Sequence, residues 1–86
     1  MLNLRLKNYN FYTRMKQLIF RTNIETRKNV KAIKSLFKYQ SSIINWSIDI
    51  EDIDNVLKVN TTEALNENDV KNLVKIKGFY CEVLPD

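Results

Sequence analysis

Histidine is absent from this chain of 86 residues, and cysteine, glycine and proline occur once each. Without histidine there is no imidazole to shuttle protons near neutral pH or to ligate a metal. A single cysteine cannot close an internal disulfide, so the thiol content gives no sign of an oxidising compartment. Gly78 alone cannot build a glycine-rich phosphate loop. No apolar run approaches the roughly 20 residues of a membrane-spanning helix. The opening stretch MLNLRLKNYNFYTRM alternates apolar and polar residues and lacks the continuous apolar core of a signal peptide. With no plausible nucleophile–base pair either, the expectation is a small, non-catalytic, cytoplasmic protein.

What is present suits one folded domain. The chain is 44% hydrophobic, with four Phe, four Tyr and one Trp, which argues against disorder. Domains run from roughly 50 residues upward, so there is room for one modest core. Charge is divided unevenly. Residues 1–40 carry ten Lys or Arg against Glu25 alone, a net of +9; residues 41–86 carry four Lys against nine acids, a net of −5. Such a division steers an anionic partner to the basic half, or simply makes two complementary parts of one solvated surface.

The periodicity gives six elements. KQLIFRTNI, residues 16–24, reads as a strand with Leu18 and Phe20 on one face and Arg21 and Asn23 on the other. Val30, Ile33, Leu36 and Phe37 then adopt helical spacing, with Arg27, Lys31, Lys34 and Lys38 on the opposite face. Thr26 is suited to cap this helix, expected over about 27–39. SSIINWSIDI alternates as a strand, with Ile44, Trp46, Ile48 and Ile50 expected inward. EDIDN is a turn in which Asp54 and Asn55 take the turn conformations, and VLKVN is a short strand with Leu57 and Val59 inward. A second helix is capped by Asn66 with Asp69 three residues on, carries Val70, Leu73 and Val74, and ends at a left-handed Gly78. FYCEVL is the last strand, with Phe79, Cys81 and Val83 inward, and Pro85 ends it.

The order β–α–β–β–α–β predicts an α+β fold of the ferredoxin-like kind: a four-stranded antiparallel sheet, strand order 4-1-3-2, with two helices on one face. The domain is expected over residues 15–86. Residues 1–14 fall outside this plan, as a basic N-terminal extension, disordered or set by a start called too early at Met1 rather than Met15, with an added strand through Leu2, Leu4 and Leu6 as the other arrangement.

With these segments placed, the chain resembles the heavy-metal-associated domain family, to which copper chaperones and the N-terminal domains of copper-exporting ATPases belong. The resemblance covers about residues 16–84 and rests on three stretches in order: FRTNI, INWSIDIEDIDNVLKV and VKNLVKIKGFYCEVL. The second includes a W-x-[VI]-D pattern, as in small bacterial members. The resemblance implies a C-x-x-C loop whose two thiolates grip Cu(I) or another soft metal. Laid on that pattern, the cysteine positions fall at Thr26 and Asn29, with Arg27 and Lys28 between them. Neither residue supplies a thiolate, so the expectation is a degenerate site without cofactor. Phe79 matches the family's aromatic beside the loop, and Ile24 the apolar residue beneath it. Cys81 is the one remaining thiol and falls on an inward position, so it is a doubtful ligand. The run DIEDID, residues 49–54, reads as a solvated acidic loop rather than a hard-cation site.

Three functions follow as expectations. The first is a protein-interaction module that docks an acidic partner through the loop and basic helix, using Arg27, Lys28, Lys31, Lys34, Lys38 and Phe79. The second is weak or partner-assisted metal binding or transport. The third is non-specific nucleic-acid binding by a basic domain. That last reading is weakened by the sheet: RNA-recognition domains of this topology stack bases on open-face aromatics. Here Phe20, Trp46 and Phe79 are expected to face the helices, leaving Tyr80 alone outside. A monomer or weak dimer is expected.

Overall fold

The computed structural model describes residues 15–85. Six elements follow the predicted order: β1 (Lys16–Thr22), α1 (Arg27–Phe37), β2 (Ile43–Asp49), β3 (Val56–Thr61), α2 (Glu67–Ile76) and β4 (Cys81–Val83). The strands form one sheet in the order β2-β3-β1-β4, all neighbours antiparallel. This is the ferredoxin-like arrangement, and its order is the expected one. The N-terminal extension lies outside the described residues.

Alternation along the strands places the core. Leu18 and Phe20 of β1 and Leu57 and Val59 of β3 point to the helices and are buried. Ile33 and Phe37 of α1 and Val70 and Val74 of α2 close over them. Each such side chain contributes about 1.5–3 kcal/mol by leaving water. Trp46 and Phe79 pack against this cluster, and Trp46 meets Phe37 edge-on, with ring centroids 5.5 Å apart. Phe20, Trp46 and Phe79 therefore all belong to the helix side, as expected.

Both helices start as their sequences suggest. Asn66 accepts from the Asp69 amide (3.0 Å), and the Asp69 carboxylate accepts from the Asn66 amide (2.9 Å). Glu67 and Asp69 also put negative charge at the positive end of the α2 dipole. Gly78 takes φ +83° and ends the helix in the left-handed conformation that glycine adopts without strain. Asn55 is left-handed too, at φ 46°, which lets the β2–β3 turn close tightly.

The structure corrects several details. The pairing of β2 with β3 slips between Ile43 and Asn45, so two residues oppose one. Ile43 then shares the helix-facing side with Trp46 and Ile48, and it packs on the core in place of Ile44. Ile50 lies beyond the strand, in the turn. The first helix ends at Phe37, two residues before the expected boundary, and β1 at Thr22, two residues before Ile24. Val83 pairs with Phe20 but remains 39% exposed, because β4 is an edge strand of only three residues.

Candidate functional site

The loop from β1 into α1, residues 23–26, is tied down on three sides. Its start is bonded to the β2–β3 turn. The Thr22 amide donates to the Asp54 carbonyl (2.9 Å), and the Thr22 hydroxyl donates to the Asn55 carbonyl (2.7 Å). That hydroxyl also accepts from the Ile24 amide (3.0 Å), so this buried side chain both donates and accepts. The second tie reaches the residue just before β4: the Tyr80 amide donates to the Asn23 side-chain carbonyl (2.9 Å). Ile24, with no exposed surface, anchors the loop from below. That is the core role expected of it.

The third tie is the helix cap. Thr26 is extended, at φ −126° and ψ 162°, and its hydroxyl accepts from the Asn29 amide (3.1 Å). The Asn29 side-chain oxygen reaches back and accepts from the amides of Thr26 (3.3 Å) and Glu25 (3.2 Å). Thr26 and Asn29 thus form a reciprocal capping box that satisfies free amides at the helix start. Thr26 was expected to cap. The returning bond from Asn29 was not, although the T-x-x-N spacing carries it, with Asn in the place usually held by Glu or Gln.

Beyond the cap the surface is cationic. Arg27, Lys28, Lys31, Lys34 and Lys38 are all exposed. Spacing by three or four residues brings Arg27, Lys31, Lys34 and Lys38 to one face of α1. The first turn of α1 holds no acid, and its cations Arg27 and Lys28 sit at the positive end of the helix dipole. Cations there are unfavourable by about 0.3–1 kcal/mol each. Arg27 and Lys28 are therefore placed against the interest of their own helix, whereas Lys34 in its last turn is favoured by the dipole. Lys38 leans on an aromatic, its Nζ 5.5 Å from the Tyr39 ring centroid.

The remaining candidates belong to other elements. Phe79 lies in the α2–β4 turn, half-buried against the core, with its amide bonded to the Val74 carbonyl (3.1 Å). Cys81 pairs with Thr22 in the sheet and is 5% exposed, as its inward position implied. Burial pushes its thiol up from the ordinary 9.0 to about 11, against a smaller downward pull from Lys71. A thiol so held is a poor source of thiolate. Among the described residues no three His, Cys, Asp or Glu side chains gather as a metal cluster, the acidic turn included. No described helix is long and apolar enough to cross a membrane.

By sequence, no family model and no curated protein matches the chain. By structure, matches are strong. A CsoZ metallochaperone superposes with a TM-score of 0.67 at 20% identity, over 79% of this chain and 97% of that one. The fold is that of the heavy-metal-associated domain. The domain of that kind from a copper chaperone for superoxide dismutase, in its apo form, gives 0.69 at 18% identity, over 83% and 68% of the two chains. The yeast copper transporter domain Ccc2a, solved in apo and Cu(I)-loaded states, gives 0.68 at 17%, over 81% and 96%. Those three proteins are metal handlers. At such identities the likeness concerns architecture, and the chemistry rests on this chain's own loop.

Proposed function

We propose that this chain is a non-catalytic member of the metal-trafficking family that acts as a protein-interaction module and no longer clamps a metal through thiolates. Thr26 and Asn29 stand where the family carries its two cysteines. The observation that carries the reading is what these residues do instead. Both are engaged in a capping box that rebuilds the loop as a helix start. A soft cation has no donor there, and Arg27 and Lys28 surround the position with positive charge.

The docking surface is the loop with the exposed face of α1. Its five cations suit a partner whose surface is acidic, and attraction of this kind acts mainly on the rate of encounter. Arg27 and Lys28 lie at the wrong end of the helix dipole and reduce stability there, so the presence of these two is better accounted for by a partner than by the fold. A short oligoglutamate peptide serves as a probe of that chemistry. At low salt it should shift the amide resonances of residues 26–38 and leave those of α2 unmoved. Lys31→Glu with Lys34→Glu should abolish the shifts, and raising salt toward 1 M should do the same as the screening length falls to roughly 3 Å. Shifts spread evenly over the molecule would refute a localised docking face.

A further inference from the structure

We propose that residues 1–14 of this chain dock into an apolar trough on the helix side of the domain. The described residues leave large apolar side chains uncovered there: Tyr39 is 78% exposed and Ile76 69%. They belong to one continuous depression. A hollow of about 350 Å³ is lined by Leu65, Leu73 and Ile76, with Gln40 and Asp69 at its side. It continues past Gln40 and Ile76 into a second hollow of about 380 Å³ that includes Leu36 and Tyr39. Continuous exposed apolar surface of this kind marks a site where something binds.

The chain itself leads there. Lys16, the first residue of β1, lies opposite Thr61, and Thr61 lies opposite Ile43. The Thr62 amide bonds to the Ser42 carbonyl (3.0 Å) at the same end of the sheet. Residues 1–14 therefore join the domain beside two segments that lead directly into the trough, through Gln40 on one side and Leu65 on the other. Fourteen residues reach at most about 46 Å at roughly 3.3 Å each, against about 15 Å for the whole of α2. Tethering also keeps the local concentration of the segment high, in the millimolar range for short linkers.

The chemistry matches at both ends. The segment MLNLRLKNYNFYTR offers Leu2, Leu4, Leu6, Phe11 and two tyrosines, and its charges, Arg5, Lys7 and Arg14, are all positive. Asp69, opposite in charge to the segment, lines the trough. A second copy is the other occupant the test distinguishes: in a two-fold pairing the same patch meets itself.

The test is trypsin cleavage of the full chain at Arg5 and Lys7, followed by mass spectrometry, with Trp46 emission to confirm that each variant is folded. Docking predicts that Leu4→Asp, in the segment, and Ile76→Asp, in the trough, each speed cleavage about tenfold, since cleavage follows the open population. The paired variant should add nothing further. Tyr39→Asp, at an equally exposed position, serves as a second probe of the trough. Equal rates in the natural chain and all variants would overturn the proposal. So would acceleration by Leu4→Asp alone, which places the segment elsewhere. Protection that disappears on dilution, together with a dimer in sedimentation, would assign the trough to a second copy and likewise overturn it.

Discussion

Removing the Thr26 hydroxyl should cost the domain about 1 kcal/mol, within the range of about 0.5–2 known for caps of this type. The structure explains why the middle of that range applies. Thr26→Ala deletes one exposed hydrogen bond, to the Asn29 amide at 3.1 Å, and leaves Asn29 still bonded to the amides of residues 25 and 26. Asn29→Ala deletes those two longer bonds and should cost about 0.5–1 kcal/mol. Because each side chain positions the other, the double Ala variant should differ from the sum of the singles by roughly 0.5 kcal/mol. In a domain of this size 1 kcal/mol corresponds to about 4–8 °C in Tm. Urea unfolding followed by Trp46 emission is a suitable assay, since Trp46 packs edge-on against Phe37 of the same helix. Thr26→Ser, which keeps the acceptor, should stay within about 0.3 kcal/mol of the natural chain. A loss below about 0.3 kcal/mol in Thr26→Ala would show that the cap contributes nothing, and the reading of the loop as a helix start would fall.

Two buried threonines should behave in opposite ways. Thr22→Val strands the Asn55 carbonyl and the Ile24 amide and should cost about 2–3 kcal/mol. Thr61→Val replaces a hydroxyl that has no hydrogen-bond partner among the described residues, and should be neutral or stabilising by up to about 1 kcal/mol. Denaturation midpoints decide both, and equal losses would contradict the bonding described. Cys81 supplies a pH test. Its folded thiol ionises near 11 and its unfolded thiol near 9.0, so rising pH ionises the unfolded chain first. The contribution is complete below about pH 9 and is lost as pH climbs toward 11. Between about pH 8 and 10.5 the natural chain should therefore lose more stability than Cys81→Ala; equal losses would show the thiol to be freely solvated.

The fold was legible wherever one short-range rule decided the outcome. Alternation in β1 and β3, helical spacing in α1 and α2, the Asn66–Asp69 cap, left-handed Gly78 and the Asn55 turn all follow from neighbours a few residues apart. Pairing across the sheet was less legible. The slip at Ile43 brings that residue onto the core in place of Ile44, and nothing within IINWSID announces it, because both isoleucines suit either face. Val83 looked inward by alternation, but exposure at an edge strand depends on what lies beside it. At the candidate site the cap was readable at Thr26. The ties from Thr22 to Asn55 and from Asn23 to Tyr80 were not, since they join residues 33 and 57 positions apart.

The central claim is that the loop before α1 is a helix cap and no longer a metal clamp. A competitive Cu(I) titration under reducing, anaerobic conditions tests it most directly, with the natural chain beside a Thr26→Cys/Asn29→Cys variant. The account predicts that the variant takes the ion from the competing chelator, because two thiolates then flank the loop. The natural chain should leave the ion with the chelator, with or without Cys81→Ala. Tight binding by the natural chain that is lost in Cys81→Ala would contradict the account, and failure of the variant to bind would contradict the placement of Thr26 and Asn29.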